Sequence, residues 1–460
     1  MTETSFKTLP LIEALKDNLD SMGYQAMTPI QQKSLPHVLA GKDLIAQAET
    51  GSGKTAAFGL GILQHLDPGR YDCQALVLCP TRELAAQVAN EIRRLASPLP
   101  NVKILTLCGG SPLGPQKASL EHGAHVVVGT PGRIEDHLRK KSLNLGSVRT
   151  LVLDEADRML DMGFFDTIAG IIQQTPKKRQ TMLFSATYPP DIERLSAEFQ
   201  HKPLEISVAQ EPGKSRIEQH FYAVTKPKHK LETLLKILGK RQPESCLIFC
   251  KTRQGCAELA AELQSRRHSA LALHGDMEQK ERDLILVRFS NASARILVAT
   301  DVAARGLDID DLALVVNYDL PTDPETYLHR IGRTGRAGKR GAAVSLVTQA
   351  ELFRLEALAA WLDQPVSTSD VQALPKDPPL PEKPAMVTLQ LDSGKKNKLR
   401  PGDILGALTG EGGIPGSQIG KINIFDFVAY VAVGRSHARE ALDHLQSGKV
   451  KGRNIRARRL

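Results

Sequence analysis

A glycine-rich segment early in the chain has the residue types of a phosphate-binding loop. It consists of Ala48, Glu49, Thr50, Gly51, Ser52, Gly53, Lys54 and Thr55. Between a strand and a helix, such a turn directs backbone N–H groups and the helix N-terminus at phosphates. Lys54 is expected to reach the β- and γ-phosphates, and Thr55 to ligate Mg²⁺. The strict pattern has glycine where Ala48 stands, and a glycine turn without a ligand is the alternative interpretation.

Two acidic residues, Asp154 and Glu155, follow the apolar strand-like run 151–153. Ligands of open α/β sheets bind at the carboxyl ends of the strands, which is where these acids lie. Asp154 is placed to hold Mg²⁺, directly or through water, and Glu155 to orient and deprotonate the water that attacks the γ-phosphate. Acids after a strand are often only part of a solvated loop, but the phosphate loop upstream favours hydrolysis of a nucleoside triphosphate.

A third segment, residues 329–336, supplies arginines. Arg333 and Arg336 are three residues apart, a spacing that predicts one shared helical face. Cations that reach a triphosphate only when a second domain closes over it would make hydrolysis depend on closure. Such an arginine finger contributes roughly 10³- to 10⁵-fold in rate. The alternative is that these arginines only decorate a helix surface.

The elements that must position these residues are short β-branched runs alternating with longer helical patterns, which is typical of parallel sheets with crossover helices. The first series of strands is predicted at 44–47, 75–79, 103–107, 125–129, 150–153 and 182–185. The second series is predicted at 219–223, 246–250, 270–274, 295–300, 313–317 and 343–347. The pattern therefore predicts an α/β protein with two tandem parallel-sheet domains.

The end of the chain differs from both α/β domains. Prolines and a lack of apolar periodicity mark residues 366–385 as a linker, either a flexible coil or a stiffer polyproline segment. Residues 386–460 then follow the order strand, helix, strand, strand, helix, strand of a small α+β sandwich. The predicted domains are 1–208, 216–365, the linker 366–385, and 386–460.

Positive charge is concentrated in this last region. The net charge of the chain is +9, and residues 381–460 contain 14 Lys and Arg against 7 Asp and Glu. A basic module on a nearly neutral body is better explained by a polyanionic partner than by a solvated surface alone. The first basic cluster is Lys395, Lys396, Lys398 and Arg400, and the second is Lys449, Lys451, Arg453, Arg456, Arg458 and Arg459.

Composition excludes several classes of protein. The chain is 41% apolar and 24% charged, which excludes a mostly disordered protein. No apolar run reaches the roughly twenty residues of a membrane-spanning helix, and no secretory signal is visible, so a cytoplasmic location is expected. The six cysteines lack the spacing of a zinc site and are expected to be reduced, buried thiols.

Together these segments resemble the DEAD-box family of ATP-dependent RNA helicases. The naming motif of that family is present as Asp154, Glu155, Ala156 and Asp157. The resemblance implies two RecA-like domains and RNA-stimulated hydrolysis of ATP with Mg²⁺. Further matching segments are 23–24, 28–31, 80–85, 109–110, 130–133, 185–187 and 300–308.

For the nucleotide, the resemblance implies that Gln31 reads the adenine edge and that Tyr24 lies near it. Phe6 matches the aromatic residue that stacks on the base, and a simple packing role is its alternative. Gly306 and Asp308 are implied to contact the nucleotide from the second domain. The residues implied to couple the nucleotide site to RNA are Ser185, Thr187 and His329.

For RNA, the resemblance implies a groove that extends over both α/β domains. Guanidinium groups, hydroxyls and bare backbone amides suit phosphate and ribose and offer little to read base edges, so RNA of any sequence is expected to bind. The implied residues are Arg82, Gly110, Thr130 and Arg133 in the first domain, and Thr252, Arg253, Gly275, Gln279, Arg282 and Thr300 in the second.

The terminal module resembles the RNA-recognition domain of a bacterial subgroup of that family, the DbpA subgroup, through 395–396, 399–408 and 419–422. The resemblance implies recognition of a hairpin of 23S ribosomal RNA in assembly of the large ribosomal subunit, without a membrane or an obligate protein partner. RNA-recognition motifs usually stack bases on aromatics of the two central strands. Here Thr388 and Val428 stand at such positions and only Tyr430 is aromatic. Tyr430 is therefore a candidate for stacking, with a core tyrosine as the alternative, and the first basic cluster is the stronger candidate for RNA contact.

The sequence thus predicts an RNA helicase that hydrolyses ATP to separate RNA duplexes locally, held near its target by the linker and the terminal module. An ATP-gated RNA clamp or assembly scaffold with little unwinding would use the same residues. A DNA helicase is disfavoured by the acid motif and by the terminal module.

Overall fold

The computed structural model describes two compact units, one within residues 4–208 and one within residues 217–460. None of the helices in this part of the chain is long and apolar enough to cross a membrane. All six cysteines are buried free thiols, as predicted. The described ranges are 4–48, 51–188, 190–208, 217–304, 311–335, 341–362, 365–411 and 413–460.

The first unit is a RecA-like domain with one parallel sheet in the order β3-β4-β2-β5-β6-β1-β7. Its strands are β1 (Leu44–Gln47), β2 (Ala75–Leu78), β3 (Ile104–Leu107), β4 (Val126–Gly129), β5 (Thr150–Asp154), β6 (Gln180–Ser185) and β7 (Leu204–Ser207). Its helices are α1 (Glu13–Ser21), α2 (Pro29–Leu39), α3 (Lys54–His65), α4 (Arg82–Leu95), α5 (Leu113–Glu121), α6 (Pro131–Arg139), α7 (Ala156–Asp161), α8 (Phe165–Gln173) and α9 (Pro190–Phe199). The six predicted strands are confirmed, and β7 is an additional edge strand.

Alternating side chains of these strands fill two apolar layers, one on each face of the sheet. Val77 and Val152 pack into the layer that contains α3 and α4, whereas Leu76 and Leu151 pack into the layer that contains α8. Helix α4 shows why the helices dock, since its apolar residues recur on one buried face and the Thr81 hydroxyl caps its first turn. All carboxyl ends of the strands therefore meet at one edge of the sheet.

The second unit begins with another parallel sheet, in the order β10-β11-β9-β12-β13-β8-β14. Its strands are β8 (Ile217–Val224), β9 (Cys246–Phe249), β10 (Ala270–Leu273), β11 (Ile296–Ala299), β12 (Leu314–Asn317), β13 (Gly341–Thr348) and β14 (Thr368–Ser369). Its helices are α10 (Lys230–Arg241), α11 (Arg253–Ser265), α12 (Gln279–Ser290), α13 (Asp301–Ala304), α14 (Pro324–Ile331) and α15 (Leu352–Leu362). The second RecA-like domain is confirmed.

The connecting segment, residues 366–385, is not the flexible coil or free polyproline segment that the sequence predicts. Its start forms β14, which pairs with β8, and Leu374 is buried in the core of the second sheet. Glu382 forms an ion pair of 2.9 Å with Arg295, whose guanidinium also donates to two backbone carbonyls. Main-chain pairing and one buried leucine therefore fix a segment whose composition lacks a helical or strand-like period.

The C-terminal domain is an antiparallel sheet in the order β16-β17-β15-β18 with two helices on one face. Its strands are β15 (Met386–Leu391), β16 (Ile419–Ile424), β17 (Ala429–Gly434) and β18 (Ala457–Arg459), and its helices are α16 (Pro401–Gly406) and α17 (Ala438–Ser447). The predicted order of elements is confirmed.

The helix-free face of this C-terminal sheet is covered by the second RecA-like domain. Thr388 on β15 accepts a hydrogen bond of 3.3 Å from the Asn291 side chain, and its hydroxyl lies 2.7 Å from that of Ser293. Burial, followed by the charge of Asp283 on α12, raises the pKa of Tyr430 on the neighbouring strand. The face on which RNA-recognition motifs usually stack bases is thus an intramolecular contact.

We predict that Gly239→Ala loosens the connecting segment. A Cβ atom at Gly239 in α10 would lie 2.3 Å from the Pro378 side chain and 3.2 Å from its backbone, so the segment must move. Trypsin should cleave after Lys376 faster than in the wild type. The control Gly170→Ala in α8 meets no atom within 4 Å and should gain about 0.5–1 kcal/mol from helix propensity without faster cleavage. Equal cleavage rates in all three proteins would contradict the docked segment.

Candidate functional site

The phosphate loop joins β1 to α3 at the carboxyl edge of the first sheet. Gly51 and Gly53 have φ values of 79° and 94°, which glycine adopts at little cost. A Cβ at Gly53 would lie 2.4 Å from the Gln31 amide nitrogen, so a side chain is excluded there. Ala48 is not among the positive-φ residues, which explains why alanine is tolerated in place of glycine. Glu49 and Thr50 lie outside the described residues.

The first turn of α3 is built to receive an anion. No side chain caps its N-terminus, so its leading N–H groups are directed at whatever lies beyond Gly53. Lys54 is buried at this point and its ammonium donates to the Ala48 carbonyl at 2.8 Å. Thr55 follows in the same turn and is partly exposed. The phosphate role of Lys54 and the Mg²⁺ role of Thr55 stay predictions.

Asp154, at the end of β5, is the second part of the same site. It is 3% exposed, and burial raises its pKa to about 7, with Lys54 opposing the shift and Glu155 adding to it. A buried carboxylate whose negative charge is incompletely compensated favours a bound cation. Asp154 and the Thr55 hydroxyl are hard oxygen ligands, so the residues present fit Mg²⁺.

Glu155 is held in a fixed position by its backbone conformation and by a hydrogen bond from Arg158. Its φ of 53° is in the left-handed region, which costs energy for a residue other than glycine and is found at functional sites. One carboxylate oxygen accepts a hydrogen bond of 3.2 Å from Arg158, and both side chains are buried. The other oxygen, Oε1, is buried without a hydrogen-bond partner, so it can accept from a water molecule. Arg158 was missed by the sequence reasoning, although it stands three residues after Glu155.

Asp157 joins the acids to the loop after β6. Its Oδ2 accepts from the backbone N–H groups of Ala186 and Thr187 at 3.1 and 3.0 Å and from the Thr187 hydroxyl at 2.9 Å. Ser185 donates instead to the Thr187 carbonyl at 2.6 Å. The structure therefore places Thr187 on the acid motif as predicted and Ser185 one bond further away. Asp157 itself carried no predicted role, although it is the fourth residue of the motif. The coupling role of these residues and of His329 stays a prediction.

The predicted adenine residues lie beside the phosphate loop. The Gln31 amide accepts from Thr28 N–H at 2.9 Å and donates to the Gly53 carbonyl at 3.0 Å, while the Thr28 hydroxyl donates to the Ser52 carbonyl at 2.7 Å. Helix α2 thereby supports the loop as well as the predicted base pocket. Phe6 is buried in the core and packs edge-to-face on Tyr24 with ring centroids 5.8 Å apart. This favours the packing alternative for Phe6, and base stacking by it stays a prediction.

The predicted RNA residues of the first unit gather at the carboxyl ends of β2, β3 and β4. A Cβ at Gly109 or Gly110 would contact the Arg82 guanidinium, so these glycines allow Arg82 to lie across the loop after β3. Arg133 donates to the Ser111 carbonyl at 3.0 Å, and Thr130 begins α6 beside it. Both the phosphate loop and this group of cations and glycines thus lie along one edge of the same sheet.

The second unit repeats this arrangement at the carboxyl ends of β9, β10 and β11. Arg253 lies 3.9 Å from a Cβ built on Gly275 and forms an ion pair with Asp276. Arg282 donates to the His274 carbonyl at 3.4 Å, and Gln279 precedes it in the first turn of α12. Thr252 caps α11, and Thr300 donates its N–H to the Leu273 carbonyl at 3.4 Å. The structure brings the six predicted residues together on one edge.

The predicted arginine pair requires a correction. Helix α14 ends at Ile331 with Gly332 as its C-cap, so Arg333 lies beyond the helix and is not on its face. Backbone bonds fix Arg333, whose N–H donates to the Arg330 carbonyl and whose carbonyl accepts from Leu312. A glycine that ends a helix overrides the i, i+3 spacing on which the prediction relied. Arg336, Gly306 and Asp308 lie outside the described residues.

Arg330, which carried no predicted role, is the structural centre of this region. Its guanidinium binds both oxygens of Asp301 at 2.7 and 2.8 Å and also donates to Asn317 and to the Asp319 carbonyl. It lies 4.9 Å from the centre of the Phe249 ring. Because these partners end β9 and β12 and begin α13, Arg330 joins the ends of two strands to the start of a helix. The sequence gives no signal for the contacts of Arg330 with Asp301 and Asp319, because both residues are distant from it along the chain.

In the C-terminal domain, Tyr430 is buried, and base stacking by it stays a prediction. Its ring is 7% exposed and packs edge-to-face on Phe425, on the sheet face covered by the second RecA-like domain. Its burial favours the alternative, a core tyrosine. The first basic cluster, in contrast, is exposed as expected.

Comparison with known proteins gives matches to both α/β units and to the C-terminal domain. The family models matched are DEAD/DEAH box helicase over residues 28–195, Helicase conserved C-terminal domain over 229–338, and DbpA RNA binding domain over 388–459. ATP-dependent RNA helicase DbpA of Escherichia coli (strain K12) is 51% identical, with 99% of this chain and all of the relative covered. ATP-dependent RNA helicase DbpA of Bacillus subtilis (strain 168) is 36% identical, with 98% of both chains covered. Among solved structures, S. cerevisiae Dbp5 bound to RNA and ADP BeF3 has a TM-score of 0.73 at 33% identity, covering 80% of this chain and 96% of that one.

We predict that Glu155→Gln stops ATP hydrolysis and preserves ATP binding. Glutamine keeps the shape and the acceptor for Arg158 but cannot take a proton, so kcat should fall at least about 100-fold. Nucleotide affinity, measured by equilibrium binding of a fluorescent ATP analogue, should change by less than about threefold. Glu198→Gln, on the exposed surface of α9, is the control and should turn over as the wild type does. Turnover near the wild-type rate in Glu155→Gln would require another base.

We predict that the stability of the nucleotide-free protein depends on pH through Asp154. Its folded pKa of about 7 exceeds the unfolded value of 3.8, so the folded state retains a proton that the unfolded chain has lost between these values. Stability should therefore fall as pH rises through this window and level off above it. Asp154→Asn removes the effect, and its advantage over the wild type should grow towards pH 7, by at most about 4 kcal/mol. Thermal unfolding at several pH values tests this, with exposed Asp166→Asn as the control; parallel curves for Asp154→Asn and the wild type would contradict it.

Proposed function

Because the chain belongs to the DEAD-box family of ATP-dependent RNA helicases, whose members are RNA-stimulated ATPases, we propose a role for each of its site residues and the RNA on which it acts. It hydrolyses ATP to separate RNA duplexes locally, and its C-terminal domain directs it to 23S ribosomal RNA during assembly of the large ribosomal subunit in the cytoplasm. The observation that carries the proposal is the shared edge of the first sheet, where the phosphate loop, the acids and the first group of RNA residues all lie.

In the first domain (1–208), Gly51, Gly53 and Lys54 hold the phosphates. Thr55 and Asp154 hold Mg²⁺, which when bound neutralises charge on the phosphate oxygens. Glu155, oriented by Arg158, receives the proton of the attacking water at its carboxylate. The free Oε1 atom described above supports this role, because an unpaired buried acceptor is costly until a donor arrives.

In the second domain (216–365), Arg333 and Arg336 supply positive charge to the transferring phosphoryl group once RNA and ATP bring the two domains together. Arg330 positions Arg333 through its bonds to Asp301 and to the ends of two strands. The RNA residues of each domain lie at the edge of its own sheet. Their cations, glycines and hydroxyls contact the RNA backbone, so RNA binding by these two domains does not depend on base sequence.

Selection of ribosomal RNA belongs to the C-terminal domain (386–460). The match of residues 388–459 to the DbpA RNA binding domain and the exposed first basic cluster support this assignment. The connecting segment (366–385) is docked on the second domain, so the C-terminal domain holds its RNA at a fixed position. The effective concentration of that RNA near the second domain therefore does not depend on the length of a flexible linker.

We predict that Lys395→Ala combined with Lys396→Ala abolishes the preference for 23S ribosomal RNA and retains ATPase stimulation by generic RNA. Point changes avoid exposing the covered sheet face, as removal of the whole domain would. The test compares ATPase stimulation by 23S ribosomal RNA and by poly(U). Lys177→Ala combined with Lys178→Ala, an equally exposed adjacent pair in the first unit, is the control. An undiminished preference in the Lys395 and Lys396 variant would refute the role of the first basic cluster.

Strand displacement from a short RNA duplex beside a 23S ribosomal RNA segment tests the helicase activity itself. We expect ATP-dependent displacement by the wild type. ATPase activity without displacement would indicate an RNA clamp, and equal stimulation by DNA would indicate a different nucleic acid substrate.

A further inference from the structure

Of the described residues, the two at positions where bases usually stack on the C-terminal sheet, 388 and 430, present no accessible aromatic. Thr388 is fully buried and Tyr430 nearly so, because the second RecA-like domain covers this face. If the domain recognises unpaired RNA, stacking must come from another part of its surface. Single-stranded RNA is typically bound by aromatic rings flanked by cations, since every base has a π-face and a nearby phosphate.

Phe427 is the most exposed aromatic residue in the described part of the chain, with 72% of its surface accessible. It lies in the turn between β16 and β17, which is closed by a hydrogen bond of 2.8 Å from Phe425 N–H to the Val428 carbonyl. A single exposed phenylalanine is common on protein surfaces and is not by itself a binding site, so the case for a ligand depends on the turn that presents the ring and on the basic segment bonded to that turn.

The turn is held firmly against the first basic cluster. Lys395 and Lys396 donate their N–H groups to the carbonyls of Phe425 and Asp426 at 2.8 and 2.9 Å. The Phe425 ring anchors the turn by packing on Tyr430 with centroids 5.7 Å apart. A Cβ at Gly394 would lie 2.2 Å from the Phe425 carbonyl oxygen, so glycine permits this close approach. A rigid support of this kind lowers the entropy cost of presenting the ring to a ligand.

Charge around the ring favours a polyanion. Lys451 from the second basic cluster reaches this place as well, since its ammonium donates to the Lys398 carbonyl at 2.5 Å and pairs with Asp403 at 3.2 Å. Asp426, in the turn itself, is the other acid here. The exposed cations of the segment bonded to the turn are Lys395, Lys396, Lys398 and Arg400, and exposed Lys451 is bonded to that segment at Lys398.

We infer that Phe427 is a stacking site for an unpaired RNA base, whose neighbouring phosphates contact the first basic cluster and Lys451. The inference rests on the proposed RNA-binding function of the C-terminal domain and adds the contact that selects an unpaired nucleotide. A duplex presents no free base face, so this contact distinguishes a loop or junction from a continuous helix.

The test measures binding of the full chain, without nucleotide, to three probes: the fragment of 23S ribosomal RNA that the wild type binds tightest, single-stranded oligouridine, and a blunt RNA duplex. Phe427→Ala and Phe427→Leu should weaken binding to the first two by about 5- to 150-fold, the range for loss of one stacked base. Phe427→Trp should retain wild-type affinity, and duplex binding should change in none of them. Leu380→Ala, which removes an equally exposed apolar side chain from the connecting segment, is the control.

Salt dependence separates stacking from charge. The slope of log affinity against log salt should be the same in Phe427→Ala as in the wild type, whereas Lys395→Ala should reduce it by about 0.7–0.9. In a Trp361→Phe background, the fluorescence of Phe427→Trp should be quenched by oligouridine. Unchanged affinity in Phe427→Ala, or full retention in Phe427→Leu, overturns the inference. If the wild type shows no preference for 23S ribosomal RNA, the proposed target is wrong. Binding of oligouridine still tests the role of Phe427 in that case.

Discussion

Burial of unlike charges at one edge of a parallel sheet is the constraint on which the rest of this structure depends. Lys54, Asp154, Glu155 and Arg158 are all nearly inaccessible to water, and each buried charge costs several kcal/mol unless a partner compensates it. The compensation is incomplete, since burial still raises the pKa of Asp154 to about 7 and leaves one oxygen of Glu155 without a donor. A ligand that brings phosphate oxygens, a divalent cation and a water molecule supplies what is missing, so the site gains most from the substrate it is proposed to hydrolyse.

The same edge explains how two ligands can affect each other in the first domain. The nucleotide residues follow β1 and β5, and the RNA residues follow β2, β3 and β4, with β2 directly beside β5. Asp157 connects the acid turn to residues 186 and 187 through three hydrogen bonds on one oxygen. Any displacement of Asp154 or Glu155 by a ligand therefore strains bonds to the loop after β6. These bonds join the acids of the predicted nucleotide site to the loop after β6, and coupling to RNA through them stays a prediction.

The strands and the glycine turn were predictable from the sequence, and the predictions that the structure corrects share one cause. Strands such as Val126–Gly129 are continuous apolar runs that bury on both faces, and the Gly51 and Gly53 turn demands glycine, so local residues determine both. The connecting segment, the covered face around Thr388 and Tyr430, and the partners of Arg330 are set by residues far away in the chain. Arg333 was placed on a helix because spacing alone does not reveal that Gly332 ends it. Long-range contacts, not propensities, decide these positions.

Helix α12 contacts the C-terminal sheet and carries two residues of the predicted RNA groove in the second unit. Its first turn carries Gln279 and Arg282 of the predicted groove, and Asp283 and the residues after its end face the C-terminal sheet. The proposed mechanism depends on Arg333 supplying positive charge to the transferring phosphoryl group. RNA-saturated ATPase kinetics of Arg333→Lys and Arg333→Ala test this most directly. We predict that kcat falls at least about 1,000-fold in both, with nucleotide binding and folding retained, because lysine keeps the charge but not the planar fork. A kcat within about threefold of the wild type for Arg333→Ala would contradict the account.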